Sequence, residues 1–363
     1  MFRSASYGFL PKCFGSHAII GNPPYQVLDG GNAASAVPVY NRFVDLAKSM
    51  GPGFISMIMP ARWYTGGRGL DKFRDATLAD RHFATLHDFY NARDLFSNVE
   101  IKGGICFFLW NKQWNEVCHV YSHTAEGETL ESFRFLKTND LDIFIRDPRV
   151  LSILEKVLAQ RKVRKEKKFD TIVSEMKPYG IRGDFFKDPS KYGLPSVSKK
   201  KIPGGITIVG LNEKTKRVLR YAPADYPLPK RTGLNNYKLF IPRNWGAGSM
   251  YDKPFKSYKA VPNEVCTETF LQVFPFDSAE ARDRCDKYMQ TKFFRLLVSI
   301  RKQDQGGKCE VYAYVPLPDF TAQSEMDWTQ SVAMIDQQLY KKYGLTAQEI
   351  ELVEKLPSST ELD

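Results

Sequence analysis

Short apolar runs alternate with amphipathic stretches along the first third of the chain. Ala18–Ile20, Gly53–Met59, Thr85–Phe89, Ile105–Trp110 and Val117–Tyr121 read as strands, while Val39–Met50 and Leu70–Asp80 carry the three-to-four-residue apolar spacing of helices. Strands and helices alternating in this way predict an α/β sheet. Asp140–Leu158 reads as helices leading out of it. Beyond residue 170 glycine, proline and short β-like runs take over (Thr207–Leu211, Tyr237–Ile241, Val311–Val315), before a helical hairpin through Asp327–Tyr343 and Thr346–Glu354. The expected organisation is an α/β region over 1–140, an α+β region over 141–326 and a helical segment over 327–363.

Composition narrows the class. With 363 residues, 43% hydrophobic and 13% aromatic, the chain is a folded one and neither disordered, collagen-like nor coiled coil. No apolar run approaches the ~18–20 residues that span a membrane. The first fifteen residues lack the apolar core of a signal peptide, which predicts a cytoplasmic protein. Six cysteines (Cys13, Cys106, Cys118, Cys266, Cys285, Cys309) are scattered without a CxxC pair, so reduced thiols are expected. Cys118-His119 with His123 comes nearest to a metal cluster, but it falls in strand and turn with no fourth ligand nearby, and no metal is expected.

The charge is unevenly placed. Residues 1–150 hold 16 basic and 15 acidic side chains, 151–260 hold 25 and 9, and 261–363 hold 11 and 17, so the middle third carries the whole excess behind the formal +11. There the charges are interleaved with aromatics and glycines around Tyr179, Arg182, Phe186, Tyr237, Arg243 and Trp245, a mixture suited to phosphate neutralisation and groove contact. Double-stranded DNA is the expected partner. Arg182, Lys200, Arg231 and Arg243 are the candidate contacts, arginine for guanine edges and lysine for phosphate.

The segment with chemistry of its own directly follows the first strand: Asn22-Pro23-Pro24-Tyr25. Two consecutive prolines fix φ and remove two backbone donors, so the chain leaves the strand as a rigid extended turn with carbonyls free of any helix ladder. Two fixed acceptors suit methylation of an exocyclic amine. Holding both hydrogens turns the nitrogen lone pair out of conjugation and toward a methyl donor. The Asn22 side-chain oxygen and the Pro23 carbonyl can be those acceptors, and Tyr25 offers a flat face to a base extruded from the duplex.

These residues resemble the amino-methyltransferases that act on adenine N6 in DNA, and more closely the gamma-class restriction-modification methylases related to single-chain type IIG enzymes. Val39–Phe43 is similar to the family's helix after the catalytic loop, whose Phe, here Phe43, packs on the adenine of S-adenosylmethionine. Gly53–Trp63 is similar to the next strand with its Pro-Ala-x-Trp ending. Asp94-Leu95-Phe96 sits where the family places an aromatic that clamps the flipped base, here Phe96. Lys292–Lys302 and Ile335–Gly344 look like the C-terminal part of the recognition region. The resemblance implies the C-terminal half of a Rossmann-like methyltransferase sheet followed by an α+β target-recognition domain. It also implies direct transfer from S-adenosylmethionine, with Asn22, Pro23, Pro24 and Tyr25 as the catalytic loop. Cytosine N4 would serve the same acceptors; Asn rather than Ser at the head of the motif points to adenine by resemblance.

One departure shapes the expectation. Only 21 residues precede Asn22, too few for the βα units of a cofactor site at roughly 30 residues each. Nor does a Phe-x-Gly-x-Gly turn occur later, since Gly204-Gly205 and Gly306-Gly307 lie between basic residues. The cofactor half is therefore expected outside this chain, lost or supplied by an upstream-encoded polypeptide, with little affinity for S-adenosylmethionine by the chain alone. Two rivals remain open. Asp94 with Glu100-Ile101-Lys102 has the letters of a nuclease metal site, and the basic region could act as a DNA specificity module without methyl transfer.

Overall fold

The computed structural model describes residues 17–27, 37–67, 69–97, 101, 103–138, 141–246, 251–302 and 305–358. It divides into two compact units, residues 1–148 and 149–363, so the helical hairpin expected as a separate C-terminal segment lies within the second.

In the first unit, β1 (Ala18–Gly21) leads through the Asn22 loop to a two-stranded ribbon, β2 (Gln26–Val27) with β3 (Val37–Pro38), and then to α1 (Tyr40–Ser49). There follow β4 (Phe54–Pro60), a 3-10 turn at Ala61–Thr65, α2 (Asp71–Ala79), β5 (Phe83–Phe89), β6 (Ile105–Asn111), β7 (Cys118–His123) and β8 (Thr129–Arg134). Six strands form one sheet in the order β1-β4-β6-β5-β7-β8. β1 runs parallel to β4 and β5 parallel to β7, whereas β6 is antiparallel to both of its neighbours and β8 antiparallel to β7. The period of two puts Ile55, Met57 and Met59 of β4 and Cys106, Phe108 and Trp110 of β6 on one face. There they share a core with Tyr40, Val44 and Ala47 of α1 and Phe73 and Leu78 of α2.

A polar tie fixes the end of α2 to that core. Asp80 accepts hydrogen bonds from Lys48 Nζ (2.7 Å), Trp110 Nε1 (2.9 Å) and the His82 peptide nitrogen (2.9 Å). Burial alone would raise its carboxyl, but the bonds from Lys48 and His82 outweigh it and hold the pKa at about 2. A carboxylate depressed in the folded state contributes stability above its unfolded pKa of about 4, and loses it as pH falls toward 2. The unit is therefore expected to lose about 2 kcal/mol from this group between roughly pH 5 and pH 2. Urea unfolding across that range checks it: Asp80→Asn should flatten the acid slope, and an unchanged slope would contradict the assignment.

The second unit opens with α3 (Pro148–Arg164). Its strands are β9 (Ile206–Leu211), β10 (Arg217–Ala222), β11 (Tyr237–Pro242), β12 (Tyr258–Ala260), β13 (Glu264–Cys266) and β14 (Phe270–Phe276), and its later helices are α4 (Ala279–Met289), α5 (Lys292–Arg301), α6 (Val332–Tyr343) and α7 (Ala347–Glu354). Two three-stranded sheets result, β10-β9-β13 and β12-β11-β14. Val311–Val315, expected as a strand, is a 3-10 turn at Cys309–Tyr312. The reason is visible in its burial: Val311, Tyr312 and Val315 are all buried, a helical-turn spacing and not an alternation.

Candidate functional site

Parallel β1, β4 and β5 all end at the same edge of the sheet, and that edge gathers the expected site. Past β1, Asn22 is exposed, Pro23 buried, Pro24 exposed and Tyr25 half-buried. The loop is tied back where the Val39 peptide nitrogen donates to the Tyr25 carbonyl at 3.2 Å, next to the β2–β3 ribbon. The Asn22 side chain therefore projects from a turn held on both sides. Tyr25 is half-buried, with its hydroxyl oxygen buried beside the Asn22 side chain; burial, then Cys106, raises its pKa.

Beneath the loop lies an aromatic floor. Past β4, the 3-10 turn places Trp63 and Tyr64 fully inside, with Trp63 edge-on to Tyr64 at 4.7 Å and to Phe73 at 6.0 Å. Trp63, Trp110 and Phe108 are core side chains, whereas Phe107 is half-exposed on the opposite face. Cys106 sits among the Tyr25, Tyr40 and Tyr64 rings with its thiol pushed up to about 12, mainly by burial, which leaves it protonated and inert.

Past β5, a 3-10 turn at Ala92–Asp94 is capped by the Asn91 side chain, and the Phe96 peptide nitrogen donates to Ala92 O at 2.9 Å. Phe96 is half-buried on this loop. Three strand intervals of about 4.8 Å separate β1 from β5, so the Asn22 and Phe96 loops spring from points about 14 Å apart. Phe43, on the first turn of α1, is 40% exposed.

A device absent from the sequence expectations props the far loop. Arg146 donates from Nε and Nη2 to both Asp88 oxygens (2.7 and 2.6 Å) and from Nη1 to Gly103 O (3.1 Å), with its guanidinium 4.0 Å from the Tyr90 ring centre. Gly104 has φ +83°, and a Cβ there would meet Phe89 O at 2.1 Å and Arg146 Nη2 at 2.9 Å. The Gly103-Gly104 pair was the available signal, because two adjacent glycines before a strand mark a close backbone approach.

The rival constellations fare differently. In the nuclease letters, Asp94 is exposed, while Glu100 and Lys102 lie outside the described residues. Cys13 lies outside them too. Cys118 points into the core while His119 and His123 point to the other face, so β7 separates the supposed metal ligands.

The basic candidates sit in the second unit. Arg182 and Lys200 are exposed, Lys200 beside the bridge between Ser198 and Tyr221. Arg231 Nη2 donates to Tyr226 O (2.7 Å) and Ala224 O (3.3 Å), so its guanidinium also closes a turn. Arg243 is half-buried at the end of β11, its peptide nitrogen bonded to Thr269 O. Sequence reasoning passed over Arg217 and Arg220 of β10, whose guanidinium groups lie 5.3 Å from the Tyr258 and Phe186 ring centres.

Residues 14–96 match the family model described as Eco57I restriction-modification methylase. An uncharacterized adenine-specific methylase of Mycoplasma pneumoniae (strain ATCC 29342 / M129 / Subtype 1) is 31% identical over 172 residues, 44% of this chain and 38% of that protein. The chain thus spans well under two thirds of that relative's length. Among solved structures, the type IIL restriction-modification enzyme MmeI in complex with DNA is 10% identical, with 94% of this chain and 55% of that chain covered at a TM-score of 0.48. The type IIG restriction endonuclease BpuSI is 14% identical, with 91% and 49% covered at 0.33. By sequence, then, residues 14–96 are similar to the Eco57I restriction-modification methylases, and 44% of the chain is similar to an adenine-specific methylase.

Proposed function

We propose that this chain is the catalytic-loop and target-recognition part of a restriction-modification DNA methyltransferase that methylates adenine N6. The observation that carries the reading is the Asn22–Tyr25 loop, fixed between β1 and the β2–β3 ribbon, with one exposed amide side chain and one half-open aromatic ring. Asn22 Oδ1 and the Pro23 carbonyl accept the two amine hydrogens and turn the nitrogen lone pair outward. Tyr25 stacks on the extruded base from one side and Phe96 closes on it from the other. S-adenosylmethionine supplies the methyl group. Of the residues described, Phe43 fits its planar ring, because it keeps an aromatic face in solvent on the helix that follows the loop. Asn22 and Pro23 then hold the amine in line while its proton leaves to water.

The test is transfer of labelled methyl from S-adenosylmethionine to duplex DNA, by the chain alone and with the polypeptide encoded directly upstream. Label in N6-methyladenine supports the reading, and label in N4-methylcytosine moves it to the other amine. No transfer under either condition, with duplex binding intact, reduces the chain to a recognition module.

Recognition is assigned to the basic second unit, through Arg182, Lys200, Arg231 and Arg243. Duplex binding is expected to weaken with salt, and each lost phosphate contact lowers the slope of log affinity against log salt by about 0.9. Replacing Lys199, Lys200 and Lys201 together by alanine should therefore flatten the slope by roughly 2–3 in a salt titration, if all three face phosphate. A slope equal to that of the unaltered chain would remove them from the interface.

A further inference from the structure

The connection between β10 and β11 runs from residue 223 to 236 with no helix or strand of its own. Connections longer than about 12 residues without such elements are uncommon in compact domains and usually functional. This one is fixed along its whole course. Tyr226, Leu228 and Leu234 are buried in the same core as Tyr179, Ile208 and Phe240. Pro229 is seated on Gly180, where a Cβ would meet the Pro229 Cβ at 2.6 Å, and Gly233 on the Gln272 side chain, where a Cβ would meet Nε2 at 2.4 Å. Both glycines have φ +76°, which a residue with a side chain rarely adopts. Between these two contacts Arg231 closes the turn through its bonds to Tyr226 O and Ala224 O.

The tie beneath the loop is a buried cation. Lys238 of β11 is wholly buried, and its Nζ donates to three main-chain carbonyls of the loop, those of Gly233, Leu234 and Asn236, each at 2.9 Å. An ammonium has three hydrogens, so all are spent here. Gln272 of β14 donates from Nε2 to Thr232 O (3.3 Å) and accepts from the Tyr179 hydroxyl through Oε1. For stability alone a buried charge is a poor staple, because a well-packed apolar side chain often serves as well or better. An apolar side chain cannot orient carbonyls, whereas this ammonium aims three of them and with them the peptide planes of the loop. A loop already ordered loses less entropy on contact with a ligand. The surface so held is polar and unengaged. Lys230, Thr232 and Asn235 are exposed, and among the described residues their side chains make no hydrogen bond or ion pair. A cation, a methyl-bearing hydroxyl and an amide are the groups that read guanine, thymine and adenine edges. The loop also lies within residues 151–260, which hold 25 basic against 9 acidic side chains.

We propose that Lys230–Asn235 is a base-reading element of this chain, and that the buried Lys238 and Gln272 are positioning residues that hold it in its reading shape before the duplex arrives. This rests on the DNA-recognition reading given above and deepens it, because it separates the reading of sequence from the neutralisation of phosphate.

Selection by the full chain from a pool of random-sequence duplexes, followed by affinities for the selected duplex and for a scrambled one, tests it. The unaltered chain is expected to draw a consensus from the pool. Lys230→Ala and Asn235→Ala, both at exposed positions, should each lower the ratio of selected to scrambled affinity about tenfold or more, and blur the consensus at separate base pairs. Lys238→Met should lower the same ratio while leaving scrambled-duplex affinity and its salt slope in place, since it removes no phosphate contact. Tyr179→Phe keeps the ring in the core and removes only the hydroxyl that fixes Gln272, so it should show a smaller loss of the same kind even where Lys238→Met does not fold. A consensus and ratio unchanged across these variants overturn the proposal. Uniform weakening on both duplexes, with the salt slope of Lys230→Ala reduced by about 1, would make the tip a phosphate contact and overturns it too. If Lys238→Met and Tyr179→Phe lose both affinities together with the cooperative thermal transition, the network is structural only and the positioning role falls. No consensus from the unaltered chain sinks the recognition reading and this inference with it. A consensus that these variants blur, drawn by a chain that transfers no methyl group, leaves the inference standing and sinks the methyltransferase reading, so the failures are distinguishable.

Discussion

Asn22→Ala is expected to lower methyl transfer by about 10²–10³-fold, the loss typical of removing one positioned hydrogen-bonding group that acts on the charge developing in a transition state. Asn22 is exposed, and the one buried group its side chain is placed beside is the Tyr25 hydroxyl. Duplex affinity and its salt dependence, assigned above by proposal to the second unit, should not move. Single-turnover transfer measured beside duplex binding separates the two. Parallel loss of both would mean that Asn22 holds the loop's shape and not the amine. Tyr25 gives a sharper contrast, because its hydroxyl oxygen is buried while the residue as a whole is only half-buried. Tyr25→Phe should keep most of the transfer. Tyr25→Ala removes a stacking partner worth about 1–3 kcal/mol per base and should weaken retention of the extruded base.

What could be read from the sequence was what lies close together in it. β1, β4 and β6 were legible because each is a bounded apolar run, and the Asn22 loop because adjacent prolines after a strand leave the backbone one course. The helix Lys292–Arg301, read from the sequence only through its likeness to a recognition region, has its signal in Thr291, whose side chain caps the Phe294 peptide nitrogen. Other features were hidden for a physical reason. Strand order is set by pairing across distance, and nothing in Ile105–Asn111 announces that β6 inserts antiparallel between β4 and β5. Cys118, His119 and His123 look like a cluster in sequence, yet strand alternation sends them to opposite faces. Arg231 looked free for DNA because a turn-closing guanidinium leaves no mark on the sequence.

Breaking the Arg146–Asp88 pair is expected to have the largest effect on stability. Asp88 is wholly buried and its two oxygens both accept from Arg146, whose side chain is 16% exposed. Removing one partner of such a pair strands the other charge out of water, at a cost of about 3–5 kcal/mol. Arg146→Met should therefore lower the unfolding free energy of the first unit by that amount, seen as a reduced urea midpoint with unchanged slope. Asp88→Leu combined with Arg146→Met should recover most of the loss, because a well-packed apolar pair replaces the ion pair without a desolvation penalty. The double variant nonetheless lacks the Arg146 hydrogen bond to Gly103 O and the cation stacked on Tyr90. Stability restored with methyl transfer still impaired would locate the contribution of Arg146 in holding the loop that carries Phe96. Recovery of both would make the pair a device of the core alone, and failure of the double variant to regain stability would show that the polar bonds to Gly103 matter more than the buried charge.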